Sequence, residues 1–170
     1  MIICESDRLI LRHLHTSNDA AFILDLLNQP SFIQNIADRG VRTLADASKY
    51  IDTGPRAMYA QHGIGLLRTE LKTTHEPIGM CGLLKRDWLP DPDIGFAFLP
   101  QYWSKGYAYE SAAAVMAWGR ENQGLTRICA ITAPTNHGSQ RVLEKLGLAF
   151  SKTVHSPEGQ ESRLYTPGGT

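Results

Sequence analysis

The stretch Gln101-Tyr102-Trp103-Ser104-Lys105-Gly106-Tyr107-Ala108-Tyr109-Glu110-Ser111-Ala112 joins an apolar run, Ile94 to Leu99, to the start of a helical pattern. This order predicts a strand, a short loop and the amino end of a helix. The first turn of a helix leaves backbone N–H groups without partners and lies at the positive end of the peptide dipoles, so it stabilises an anion. Gly106 lets the backbone approach that anion closely. The stretch therefore predicts a phosphate-binding loop.

Two common nucleotide-binding loops are absent from this region. Neither G-x-x-x-x-G-K-[ST] nor G-x-G-x-x-G occurs near the predicted helix start, which disfavours the mononucleotide and dinucleotide sites that those patterns form. We therefore expect the phosphate-binding loop to serve another ligand.

A second motif, Asn136-His137-Gly138-Ser139-Gln140-Arg141-Val142-Leu143-Glu144-Lys145-Leu146-Gly147-Leu148, follows another apolar run, Ile128 to Ala133. Asn136 is suited to cap a helix, and Gly147 is suited to the left-handed residue that ends one. Because the apolar side chains between them recur at helical spacing, the motif predicts a capped helix directly after a strand.

Together the two motifs resemble a known family. The patterns Y-W-x-K-G-Y-A-x-E and N-x-x-S-x-x-V-L-E-K-x-G are similar to signatures of the GCN5-related N-acetyltransferases (GNAT superfamily), in particular the RimJ/RimL-like branch that acetylates ribosomal-protein N-termini. Looser similarity extends to Ser6–Arg12, Pro77–Leu83 and Asp93–Phe96, so it covers nearly the whole chain. The resemblance implies acetyl-coenzyme A (acetyl-CoA) as cosubstrate and a single acetyltransferase domain over residues 1–170.

The remaining pattern predicts an α/β fold. We expect helices near 19–29, 43–62 and 106–122, the second interrupted at Gly54-Pro55, an irregular segment at 32–40, and a closing hairpin. Strands at 64–71, 78–85 and 94–99 should form an antiparallel meander, and the unit from Ile94 to Ala133 should be a right-handed parallel crossover. The prediction is thus a mixed, mostly antiparallel central sheet with one parallel β-α-β crossover and flanking helices, the acyl-CoA N-acyltransferase fold.

Composition narrows the functional classes. The formal net charge is zero over 170 residues, which gives no electrostatic reason to expect nucleic acid or an anionic membrane as a partner. The three cysteines and six histidines lack metal-ligand spacing, so we predict no metal site. The amino end lacks the features of a signal peptide, and we expect a soluble, cytoplasmic protein.

The resemblance also implies which residues hold the cosubstrate. It places the backbone of the first crossover strand, at Ala97, Phe98 and Leu99, against the pantetheine arm. It places the pyrophosphate on the loop and first helical turn formed by Trp103, Ser104, Lys105, Gly106, Tyr107, Ala108 and Tyr109. Asn136 would bond the pantetheine arm as well as cap its helix.

Two residues are the candidates for catalysis. Ser139 occupies the family position whose hydroxyl is proposed to protonate the leaving sulfur, and its alternative is an ordinary helix-surface serine. Asp93 matches a position where relatives often carry glutamate, so it is the candidate base, directly or through a water. Its alternative is a solvated turn aspartate. His137 is a further base candidate by type, although nothing in the sequence orients it.

The acceptor remains open at this level. A protein N-terminus would need an open groove and a small amine a closed pocket, and the segments 32–40 and 88–92 are expected to decide between them. A regulatory module that binds acetyl-CoA or CoA without catalysis is the alternative function. A structural domain without a ligand is disfavoured by the paired motifs. The resemblance also suggests a homodimer, to which an exposed strand edge could contribute.

Overall fold

Two sheets that meet at a single point form the centre of the protein. The computed structural model describes residues 1–170. A five-stranded antiparallel sheet has the order β1-β2-β3-β4-β5, and a three-stranded antiparallel sheet has the order β6-β8-β7. The strands are β1 Ile2–Glu5, β2 Leu9–Arg12, β3 Leu66–Leu71, β4 Pro77–Leu84, β5 Asp93–Phe98, β6 Ala130–Thr132, β7 Leu148–His155 and β8 Glu161–Pro167.

The sheets join through the predicted crossover. Strand β5 leads into helix α5 (Tyr107–Gln123), which returns the chain to β6. Asp93 and Cys129 form a parallel bridge, with the Ile94 N–H donating to the Cys129 carbonyl at 2.9 Å and the Cys129 N–H to the Pro92 carbonyl at 3.0 Å. Beyond this bridge β5 pairs only with β4 and β6 only with β8, so the two strands separate. The mixed sheet with one parallel crossover is confirmed.

Six α-helices cover the sheets: α1 Ala20–Leu27, α2 Pro30–Asn35, α3 Leu44–Ile51, α4 Ala57–His62, α5 Tyr107–Gln123 and α6 His137–Lys145. The expected interruption at Gly54-Pro55 is a π-helical turn, Asp52–Arg56, that connects α3 to α4. Pro55 has no N–H to donate, and the wider turn accommodates it without ending the helical path. None of these helices has the length and apolar character that crossing a membrane requires.

Helix α5 docks closely on the sheet because the residues on its inner face are small. Ala112 and Val115 are completely buried, and a Cβ atom added at Gly119 would lie 2.6 Å from a Leu83 side-chain carbon on β4. A larger residue at 119 would therefore push the helix away from β4.

A buried ion network fixes α1 to the five-stranded sheet. The Asp19 side chain is 0% exposed and accepts hydrogen bonds from the His15 N–H at 2.6 Å, from Arg12 at 3.1 Å and from Arg68 at 2.6 Å. Asp19 occupies the residue before α1, but its carboxylate does not cap the helix. An aspartate at this position commonly caps a helix, but here two arginines of the sheet bind the carboxylate instead.

Two short elements differ from the sequence-based expectation. Residues 30–35 form α2, with Pro30 at its first helical position, where a proline costs no hydrogen bond. Residues 2–5 form the edge strand β1, which pairs with β2 across an irregular register. Both elements are too short to show a clear hydrophobic period, so the pattern alone did not indicate them.

Candidate active site

The amino end of α5 has the donors that an anion requires. The backbone N–H groups of residues 104 to 109 have no acceptor within the protein, and no side chain caps the helix. Gly106, directly before α5, has φ +83°, and Ser104 has φ +61°. These left-handed conformations turn consecutive N–H groups toward one side, which is the arrangement of a phosphate-binding nest. The residues present therefore fit a pyrophosphate.

Glu110 holds this helix end in place. Its carboxylate accepts hydrogen bonds from the Ser6 hydroxyl, from the Arg8 N–H at 2.9 Å and from the Arg8 Nε at 2.7 Å. Burial raises the pKa of Glu110, but these hydrogen bonds lower it below its ordinary value. The Arg8 guanidinium also lies 4.4 Å from the centre of the Tyr107 ring. The glutamate of the loop motif thus fixes the start of α5 to the β1–β2 connection.

The open edge of β5 supplies further donors. The Ile94 N–H points toward β6, and because N–H directions alternate along a strand, those of Phe96 and Phe98 point to the same edge. The Phe98 carbonyl is already bonded, since it accepts from the Trp103 indole at 2.9 Å. The backbone groups that remain free for an amide-containing ligand are therefore the N–H and carbonyl of Phe96 and the N–H of Phe98.

This alternation corrects part of the expected pantetheine contact. Leu99 is 5% exposed, its N–H donates to the Ile78 carbonyl, and its carbonyl accepts from the Tyr102 N–H, so it does not face the edge. The backbone N–H and carbonyl of Ala97 point toward β4, so only its other atoms line the cleft. Phe96, which the motif comparison missed, would have been found by counting alternate residues from Ile94.

A cleft of about 710 Å³ extends from this edge to the start of α5. Most of the predicted cosubstrate residues line it: Ala97, Phe98, Trp103, Ser104, Gly106, Tyr107, Ala108, Tyr109, Asn136 and Ser139. Lys105, which is exposed, and Leu99 do not line it. The structure thus brings the loop, the strand edge and the second motif together around one cleft.

The second motif places Asn136 and Ser139 between two cavities. The Asn136 side-chain oxygen accepts from the Ser139 N–H at 3.3 Å, so the expected helix cap is present on α6. The Asn136 amide nitrogen and the Ser139 hydroxyl have no partner within the protein. Both residues line the cleft and also a smaller cavity beside it. His137 is exposed and lines only the larger cleft.

The smaller cavity, of about 160 Å³, lies between the separating strands β5 and β6. Its outer wall is α2 with the residues that follow it, and the β7–β8 turn adds Gln160, whose side chain donates to the Ile36 carbonyl at 2.9 Å. The segment 32–40 therefore lines this cavity as expected. Residues 88–92 do not, because Leu89 is buried against Cys129 and Leu164 instead.

Asp93 lies at the inner end of the smaller cavity and is not a solvated turn residue. It is 1% exposed, and its two carboxylate oxygens lie 3.1 and 3.2 Å from the Arg86 Nε. Burial raises the pKa of Asp93 to about 6, against the opposing charge and hydrogen bond of Arg86. A carboxylate with this pKa is ionised at neutral pH and more basic than an exposed one.

The structure has neither an activated thiol nor a cluster of metal-ligating side chains. Burial raises the pKa of Cys81 to about 12 and that of Cys129 to about 12, so neither thiol is an activated nucleophile. No group of three or more histidine, cysteine, aspartate or glutamate side chains is arranged to hold a metal ion.

Comparison with known proteins agrees with this geometry. Residues 8–149 match the family model described as an acetyltransferase (GNAT) domain. The chain is 29% identical over 147 residues to the uncharacterized N-acetyltransferase YoaA of Bacillus subtilis, covering 85% of this chain and 81% of the relative.

Solved structures share the fold. This chain is similar in structure to the ribosomal L7/L12 alpha-N-protein acetyltransferase RimL in complex with coenzyme A, with a TM-score of 0.83, 15% identity and coverage of 98% and 97% of the two chains. It is also similar to an acetyltransferase from Agrobacterium tumefaciens, with a TM-score of 0.80, 24% identity and coverage of 95% and 91%. Since the family model spans most of the sequence, the chain belongs to the GNAT acetyltransferase family and is an acetyl-CoA-dependent enzyme.

Proposed function

We propose that this enzyme transfers the acetyl group of acetyl-CoA directly to the primary amine of a small molecule. The observation that carries the proposal is the size of the cavity next to Ser139, about 160 Å³, with Gln160 bridging to Ile36 at its outer wall. A protein N-terminus would need a continuous groove for the residues that follow its first one. A cavity of this size suits a small acceptor.

Each substrate has its own cavity. Acetyl-CoA lies in the larger cleft, with its pyrophosphate on the free N–H groups before α5 and its pantetheine arm along Phe96 and Phe98. Its thioester then reaches the junction at Asn136 and Ser139, which line both cavities. The acceptor enters this junction from the smaller cavity, so its nitrogen meets the thioester carbonyl carbon without any covalent intermediate on the protein.

Ser139 and Asp93 serve the proton transfers. The neutral amine forms a bond to the carbonyl carbon, the carbon–sulfur bond breaks, and the Ser139 hydroxyl donates a proton to the leaving sulfur. Ser139 is then reprotonated from solvent, to which Asp93 in turn releases the proton that it takes from the amine. Asp93 accepts the proton released by the amine through a water, because its buried carboxylate lies at the inner end of the cavity. The products are an N-acetylated amine and coenzyme A, and a general acid and base of this kind typically contribute about 10²- to 10⁴-fold each.

Free-thiol release from acetyl-CoA, measured across small primary amines and N-terminal peptides, tests the acceptor class. We expect higher kcat/KM for small amines than for peptides. Gln160→Ala removes the bridge to Ile36 and should increase peptide turnover, whereas Glu158→Ala, in the same exposed turn, should not. Efficient turnover of peptides alone by the wild-type enzyme would contradict the proposal.

A further inference from the structure

The smaller cavity has an excess of positive charge. Its titratable lining residues are Arg39, Tyr50, Arg86 and Asp93. The Asp93 carboxylate is paired with Arg86, and their charges cancel. Arg39 is exposed and takes part in no ion pair. One positive charge in the cavity wall thus has no partner within the protein.

Several hydrogen-bond donors of the same wall are also free. Arg86 uses only its Nε atom on Asp93, and its two terminal nitrogens have no acceptor within the protein. The Tyr50 hydroxyl and the Arg39 guanidinium likewise make no hydrogen bond there. Burial raises the pKa of the Tyr50 hydroxyl, and the positive charges of Arg39 and Arg86 oppose that rise. Tyr50 therefore stays a neutral O–H donor in the field of two guanidinium groups.

These donors lie on the acceptor side of the junction, with Arg86 beside the proposed base Asp93. Arg39, Tyr50 and Arg86 line only the smaller cavity, whereas Asn136 and Ser139 line both cavities. An acceptor whose nitrogen reaches the junction must place its other end among the arginines and the tyrosine. A neutral or cationic group there would leave the terminal nitrogens of Arg86 and the Tyr50 hydroxyl without an acceptor and would gain nothing from the exposed charge of Arg39. Donors left unpaired on binding cost free energy.

We propose that the acceptor is a small amine that carries a carboxylate, which Arg39, Arg86 and Tyr50 bind while the amine faces the thioester. The inference rests on the proposed small-amine acceptor and names its chemical class. Guanidinium groups bind carboxylates through paired, charge-assisted hydrogen bonds, and Tyr50 contributes a third donor. Amino acids fit the cavity volume of about 160 Å³ and carry both groups.

Matched acceptors test the charge requirement. A short ω-amino acid and its carboxamide have nearly the same shape, and their kcat/KM values are compared by thiol release after correction for the neutral fraction of each amine. A charge-assisted interaction should make kcat/KM for the carboxylate acceptor about 10- to 100-fold higher than for the carboxamide. Arg39→Gln should reduce that ratio to within about 3-fold by lowering carboxylate turnover more than carboxamide turnover, while Arg39→Lys should keep part of the preference.

Arg120→Gln is the matched control, since it removes an exposed arginine of α5 that lines neither cavity, and it should keep the full ratio. Equal turnover of the two acceptors by the wild-type enzyme overturns the inference alone and leaves the small-amine acceptor standing. An equal loss on both acceptors in Arg39→Gln also overturns it, because Arg39 would then act on the fold. Turnover of peptides only refutes both proposals.

Discussion

The burial of Asp93 has a stability cost whose size follows from its pKa. The pKa rises from its ordinary 3.8 to about 6 in the folded protein. A carboxyl group that holds its proton more tightly when folded lowers stability as the pH rises through this interval. This rise in pKa corresponds to about 3 kcal/mol once the carboxyl is fully ionised, of which about 2 kcal/mol should develop between pH 4.5 and 7.5.

The substitution that isolates this effect is Asp93→Asn, which keeps the shape and removes the titration. Urea unfolding of both proteins at several pH values gives the free energy of unfolding of each. The wild-type value minus the mutant value should decrease by about 2 kcal/mol from pH 4.5 to pH 7.5. Taking the difference removes the contributions of the other carboxylates, because they are common to both proteins.

The competing outcome has the opposite sign. If the ion pair with Arg86 outweighed burial, the folded-state pKa would lie below 3.8 and the difference would increase with pH. A constant or increasing difference would therefore refute the argument from burial. In an Arg86→Gln background the decrease should be larger, since the charge that opposes the rise in pKa is gone.

Further predictions concern the cosubstrate site and the buried network. Ser139→Ala should lower the single-turnover rate by about 10²- to 10⁴-fold with little change in acetyl-CoA affinity, and a defect confined to the Kd would make Ser139 a binding residue. Gly106→Ala and Gly124→Ala should each cost about 1 to 2 kcal/mol in thermal unfolding, because both glycines are left-handed, but calorimetry should find a raised acetyl-CoA Kd only for Gly106→Ala. Asn136→Ala should lower stability by about 1 kcal/mol through the lost cap and also weaken acetyl-CoA binding; unchanged affinity by calorimetry would leave it a cap alone. Asp19→Asn should lower the free energy of unfolding by about 3 to 5 kcal/mol in urea near neutral pH. Because the pKa of Asp19 is lowered in the folded protein, the wild-type protein should lose this stabilisation as the pH falls below about 3.8.

The fold was predictable where a local pattern and a tertiary contact require the same residue. Gly119 is an example, because small residues on one helix face allow docking and the structure leaves no space for a larger one. Asp19 is the opposite case. Its position suggests a helix cap, but Arg12 and Arg68 bind its carboxylate from strands that the sequence does not show to be adjacent.

The site was predictable to the level of its loop and its second helix. Motif similarity indicated which strand lines the cleft, but it does not indicate which alternate residues of that strand have free N–H groups, so Phe96 was missed. The smaller cavity was predictable only through the segment 32–40, which contains Arg39. Arg39, Tyr50 and Gln160 come from three separate segments, and no local pattern relates a loop arginine to a residue in a distant hairpin turn.

The separation of β5 and β6 has a consequence for aggregation. An unpaired strand edge normally invites another polypeptide to add to the sheet. Here the unpaired groups of Phe96 lie inside the sheet, within a cleft that α2 and α6 border, and not at its outer margin. A neighbouring chain would have to enter past both helices to reach them. The enzyme can therefore leave this strand edge open to a narrow ligand while α2 and α6 prevent other polypeptides from pairing with it.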